Sequence, residues 1–303
     1  MSSESPFLAL GNVVDPGEVR AQVEAIVASF APGHDASRIV RTFDLVNTAF
    51  SGALPGYRSL RTPYHDSIHT HEVTLCTARI LHGLDRVGYE LSAEHIDAAL
   101  IGALLHDVGY LTTDTESDGS GAQFTECHVG RSVDFACRYL DDLPDTVLDL
   151  AVKAIWLTDH RQSGAWLTFD SREQHLSAAA MASADLLGQM SNRAYLERLL
   201  LLYLEYAEAD FGGFVDYHDL LEKTLTFYRH VRVRLERDLK GVSFLLTHHF
   251  NAQKGVERNY YADAIHRNLD YLERLLQHER ATRLRYLRRG DAADRLLEFL
   301  KRL

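Results

Sequence analysis

Proline and glycine are scarce, with 6 and 19 residues in a chain of 303. A sequence so poor in helix breakers and tight-turn residues is not a many-stranded sandwich or a low-complexity linker, and helices are expected throughout. Cysteine is scarcer still. Cys76, Cys127 and Cys137 form no CxxC pair and cannot all pair, which excludes a disulfide framework and predicts buried thiols in a reducing compartment. No stretch reaches the ~20 apolar residues that span a bilayer; the richest, Leu199 to Leu204, is flanked by Glu197, Arg198 and Glu205. The first residues, Met1 to Pro6, lack the basic start and apolar core of a secretion signal, so the expected location is cytoplasmic. Basic residues are outnumbered, 32 against 43 acidic, for a formal net charge of -11. That balance argues against nucleic acid and membrane as partners. It also means that an anionic substrate needs locally fixed cations, which bound metal ions would provide. Neither a Walker-type phosphate loop nor a Gly-x-Ser-x-Gly nucleophile elbow is present.

What the chain does have is apolar helical text: 46% of its residues are hydrophobic. We expect an all-α fold with no strand. An extended arm over 1–15 precedes helices with stripes at Val19, Val23, Ile26 and Val27, then at Ile39, Phe43, Val46 and Phe50. A Gly/Pro-bearing loop over 51–63 leads to helices over 66–84 and 92–106, the second with Ser92 as N-cap. The polar segment 112–125 reads as a surface connection or a lid. Helices follow over 126–139, 144–157, 176–190, 195–209 and 219–239, and a leucine- and arginine-rich tail over 260–303 packs on the rest. That tail offers a homo-oligomer contact or an anion-binding surface through Arg280, Arg283, Arg285, Arg288 and Arg289. The expected organisation is an N-terminal helical extension (1–50), a central domain (51–235) and a C-terminal helical segment (236–303).

Two strings carry the chemistry. One is Tyr64-His65-Asp66-Ser67-Ile68-His69-Thr70-His71-Glu72-Val73; the other is Ala103-Leu104-Leu105-His106-Asp107-Val108-Gly109-Tyr110. A His-Asp doublet at the end of an apolar helical run is costly to bury unless something pairs with it, and a metal ion accepts electron pairs from both groups. His65, His69 and Glu72 share one helix face by spacing. His71 falls off that face and reads as structural. His128, Asp159-His160 and Asp185 follow in further helical text.

The order His…His-Asp…His…His…Asp resembles the HD superfamily of metal-dependent phosphohydrolases. The first string is similar to the opening of the cyclic-nucleotide phosphodiesterase signature, Tyr-His-Asn-x-x-His-Ala-x-Asp-Val. His128-Val129-Gly130, Asp159-His160 and the stretch from Ala184-Asp185 to Tyr195 resemble the HD-GYP subfamily. Together these motifs cover about 64–195. The resemblance implies a helical HD domain and a ligand set of His69, His106, Asp107, His128, His160 and Asp185. It implies two divalent cations bridged by Asp107: Mn, Fe, Zn or Ni, with Mg at a carboxylate-rich position. His65 is the implied general acid, with Asp107 as the other catalytic residue, while Glu72 and Asp159 orient ligands or bound water. The implied substrate is a small phosphate ester of nucleotide type. Tyr110 stands where cyclic-mononucleotide enzymes carry His and HD-GYP proteins carry Lys, and Asp159-His160 replaces a His-His pair, so neither substrate follows in detail. The same ligand order also occurs in HD-type di-iron oxygenases, and a non-catalytic nucleotide-binding module is the reading from another class.

Overall fold

The computed structural model describes residues 5–11, 13–116, 118–161 and 164–302. Its helices are α1 (Pro6–Ala9), α2 (Pro16–Phe30), α3 (Ser37–Phe50), α4 (Ser67–Arg86), α5 (Ala93–Leu105), α6 (His128–Tyr139) and α7 (Asp145–Trp156). They continue as α8 (Arg172–Ser191), α9 (Tyr195–Glu208), α10 (Tyr217–Val233), α11 (Leu246–Lys254), α12 (Tyr260–Leu276) and α13 (Ala292–Leu300). Among the described residues there is no strand, only one isolated antiparallel bridge between Tyr57 and Thr113. The fold is all-α, and no helix is long and apolar enough to cross a membrane.

The bundle is built on α4 and α8, which pack against each other, with α5 and α7 completing the central layer. Close approach follows from side-chain size. Ala178, Ala179, Ala180, Ala182 and Ala184 are all buried on α8, so its backbone lies near its neighbours. On α4, Leu75, Ile80, Leu81 and Leu84 are fully buried, each adding roughly 1.5–3 kcal/mol relative to exposure. Gly83 is required beside them: a Cβ there would lie 2.4 Å from the Leu245 carbonyl oxygen. Around this centre α2 and α11 pack on α4, α3 on α5, α12 on α8 and α13 on α9. One contiguous apolar core runs from Ala9 through Leu296.

Caps fix where the two motif helices begin. The Asp66 carboxylate accepts the His69 backbone N–H at 2.9 Å, and both its oxygens take Arg198 guanidinium N–H groups at 3.1 Å. Ser92 and His95 form the reciprocal capping pair at the start of α5.

The segment over 112–125 is stapled to its surroundings where it is described. Arg58 donates to the Asp114 and Glu116 carbonyls, Arg61 to the Gly119 carbonyl, and Ser120 donates to Glu208. The leucine- and arginine-rich tail resolves into α12, a 3-10 turn and α13. Arg280 and Arg283 turn back to pair with Glu222, and Arg289 pairs with Glu197, so part of the basic face is spent on intramolecular ion pairs.

Some expectations need correction. The arm expected over 1–15 contains the helical turn Pro6–Ala9, whose Leu10 carbonyl accepts from Arg79; residues 1–4 and 12 lie outside the described residues. The segment 242–254, which carries no clear periodicity, forms a 3-10 turn and α11. Cys76 is buried, but Cys127 and Cys137 are exposed. Cys127 stands at the N-cap of α6, and Cys137 lies on the outer side of that amphipathic helix.

Candidate metal centre

The doublet His106-Asp107 sits where α5 ends and the chain turns. His106 Nδ1 donates to the carbonyl of Ala103 at 2.8 Å, three residues back. His128, the first residue of α6, repeats the device with the Thr125 carbonyl at 2.8 Å. A carbonyl can only accept, so both Nδ1 atoms carry a proton and both Nε2 atoms present a lone pair inward when the rings are neutral. α6 reaches this position because residue 109 has no side chain. A Cβ on Gly109 would lie 2.0 Å from the His128 carbonyl oxygen. Ser132 then locks the contact, donating to the His106 carbonyl at 2.6 Å and accepting from the Gly109 N–H at 2.9 Å.

His69 comes from the first turn of α4 and Asp185 from the interior of α8, the two helices at the heart of the bundle. His69 Nε2 lies 3.3 Å from His106 Nε2, 3.2 Å from Asp185 Oδ1 and 3.4 Å from Asp107 Oδ2. His106 Nε2 is 3.2 Å from Asp107 Oδ2 and 3.7 Å from Asp185 Oδ1. The other Asp107 oxygen is 3.8 Å from His128 Nε2. His69, His106 and Asp107 are all buried.

Lone pairs and carboxylate oxygens facing one another at these separations repel unless a cation or extra protons stand between them. Buried Asp107 Oδ2 has no hydrogen-bond donor. In the absence of another cation, the imidazoles must serve. Burial works to raise the Asp107 pKa, yet His106, His65 and His69 hold it well below the usual carboxylate range. Asp185 is likewise held down, against burial, by His69 and His106. Burial would lower His106, but Asp107 and Asp185 push it up to about 9. A divalent cation relieves the same repulsion with mixed nitrogen and oxygen donors, a set that suits transition metals. His69, His106 and Asp185 form a group that could hold a metal ion, and Asp107 lies within contact distance of two of them.

His65 lies outside the helix that its spacing suggested. α4 starts at Ser67 with Asp66 as cap, so His65 precedes it and is held from elsewhere. Glu205 of α9, fully buried, accepts the His65 backbone N–H at 3.0 Å and the Tyr64 N–H at 2.6 Å through one oxygen. Its other oxygen meets His65 Nδ1 at 2.5 Å. Burial opposes protonation of His65, but Glu205 and Asp107 outweigh it and raise its pKa above the ordinary imidazole value. The ring stacks on Tyr110 with centroids 4.5 Å apart, and Tyr110 stacks on His128 at the same spacing. Glu205 was missed from sequence. Its one signal is a carboxylate inside the leucine-rich run of α9, where nothing polar belongs without a task.

A cavity of about 170 Å³ opens beside the cluster, lined by His65, Asp107, His128, His160 and Asp185 together with aromatic and aliphatic side chains such as Phe214 and Phe227. His160 differs from the other proposed ligands. It is exposed, its ring is 6.5 Å from Phe227, and it lines the cavity without joining the His69–His106–Asp185 group. Asp159, its neighbour, is buried and binds the Arg161 guanidinium at 2.9 and 3.1 Å. Glu72 joins a different contact: one oxygen accepts from the side chain of Asn192, the C-cap of α8. His71 donates Nδ1–H to the Val13 carbonyl at 3.1 Å, as its off-face position predicts. No family model matches the chain, and no curated protein matches it.

Proposed function

We propose that the chain is a metal-dependent phosphohydrolase of the HD superfamily, a phosphodiesterase that cleaves a nucleotide-type phosphate ester. The observation that carries this reading is the convergence of His69, His106, Asp107 and Asp185 beside a cavity that also presents His65. Two divalent cations are the proposed cofactor. Asp107 turns one oxygen to the His69–His106 pair and the other to His128, so with these histidines and Asp185 it would help hold the cations. A divalent cation bound there supplies Lewis acidity toward a phosphoryl oxygen and toward the attacking water.

The protein's own residues do the rest. His106 and His128 are locked in the tautomer that keeps Nε2 as a donor of electrons. The His65–Glu205 pair is the proton source. Glu205 takes the Nδ1 side and stabilises the imidazolium, which leaves Nε2–H to protonate the departing alkoxide. The apolar walls of the cavity exclude water from around the leaving group.

The test is leaving-group dependence in Mn-loaded protein. His65→Ala should slow release of a nucleoside alkoxide by about 10²–10⁴-fold, the usual range for a general acid, and barely affect release of 4-nitrophenolate. Equal losses with both esters contradict the assignment. Iron-loaded protein that consumes O₂ and cleaves no phosphate ester overturns the hydrolase reading itself.

A further inference from the structure

Beside α4 and α8 lies a second cavity, of about 150 Å³, lined by none of the metal-cluster residues and not used by the reading above. Phe7, Leu10, Gly11 and Val13 line it on one side, and Arg79, Glu72, Arg193 and Tyr261 are among its other walls. Arg79 is the unusual member. It is 6% exposed, so its charge is almost fully withdrawn from water. Its Nη1 donates to the Tyr261 hydroxyl at 2.7 Å and its Nη2 to the Leu10 carbonyl at 2.9 Å, both neutral acceptors. Its Nε is buried with no acceptor, and no carboxylate among the described residues pairs with the guanidinium. A buried guanidinium is expected to have a counter-charge, because removing the ion from water costs several kcal/mol.

The other walls supply what an anion needs. Arg193 is exposed and adds a second guanidinium at the edge of the cavity. Glu72 Oε2 is buried without a partner. Burial pushes the Glu72 carboxyl up to about 8, so near neutral pH it carries a proton and can donate rather than repel. A volume of about 150 Å³ has room for a small oxyanion.

We propose that this cavity is an oxyanion site, separate from the metal centre. Arg79 Nε–H and Arg193 hold a phosphate- or sulfate-sized anion, the Glu72 carboxyl completes the shell, and Phe7, Leu10, Gly11 and Val13 wall it in. The site does not depend on the hydrolase reading, because its ligand is bound and not transformed.

Sulfate is the probe, since it is no substrate for phosphoester cleavage. Calorimetric titration of metal-free, full-length protein at low ionic strength should give one saturable site. Arg193→Gln should weaken it about tenfold, and Arg79→Met should abolish it. Crystals soaked in selenate should show an anomalous peak within hydrogen-bond distance of Arg79 Nε. If Arg79→Met does not fold, Arg193→Gln and the selenate map still decide. Unchanged affinity in Arg193→Gln together with no peak at Arg79 overturns the proposal. So does the absence of saturable sulfate binding in wild-type protein.

Discussion

At the scale of the residue, the site depends as much on what is missing from a side chain as on what is present. Gly109 lets the first turn of α6 touch the end of α5, which sets His128 against Asp107. Gly109→Ala must push the two apart. It should cost about 1–3 kcal/mol, as overpacking usually does, measured as a lower denaturation midpoint. A displacement of His128 by even 1 Å should cut phosphoesterase activity by about 100-fold. An enzyme of unchanged activity would mean that His128 is not part of the machinery. His65 shows the complementary lesson: its role comes from Glu205, which lies 140 positions away in sequence and fixes both its backbone and its ring.

At the scale of the element, the bundle presents His69, His106 and His128 from helix ends and first turns, and Asp185 from within α8. Asp66 caps α4 and is itself held by Arg198 of α9, so His69 enters the site at a fixed angle. Asp66→Ala removes the cap and strands a largely buried guanidinium. We expect a loss of about 1–3 kcal/mol in chemical denaturation and weaker metal retention. The central helices were readable as apolar, small-residue runs because α4, α5 and α8 are buried on nearly all sides, and the His106-Asp107 doublet and Asp185 stood out against that background. Other residues named from the sequence stand apart from the His69–His106–Asp185 group for local reasons. Glu72 follows His69 by three residues, about 60° short of a full turn, enough to turn it toward Asn192 instead of the ligands. His160 follows α7, which stops at Trp156; the irregular chain beyond it buries Asp159 and leaves His160 exposed on the wall of the cavity, apart from the His69–His106–Asp185 group. Glu205 was hidden because periodicity marks a buried face but not which partner waits there.

At the scale of the whole molecule, burial of charge couples stability to pH. Glu72 is pushed from a reference value of 4.5 up to about 8 by burial. Between those values the folded chain keeps a proton that the unfolded chain has lost, so this group's contribution falls as pH rises through the window. Glu72→Gln should therefore flatten the stability–pH profile over that range and gain most, relative to wild type, near pH 8. Equal slopes for the two proteins in thermal unfolding would show that the carboxyl is not held neutral. The same logic makes the metal centre a stabilising element: a cation that binds only the folded chain at 100 times its Kd adds about 2.7 kcal/mol.

The central claim is that imidazoles and carboxylates from α4, the end of α5 and α8 converge to hold metal, and elemental analysis tests it most directly. Wild-type protein saturated with Mn and then desalted should retain bound metal, and His106→Ala and Asp185→Ala proteins that remain folded should lose it. Wild-type protein that retains none, or variants that retain as much as wild type, would contradict the account.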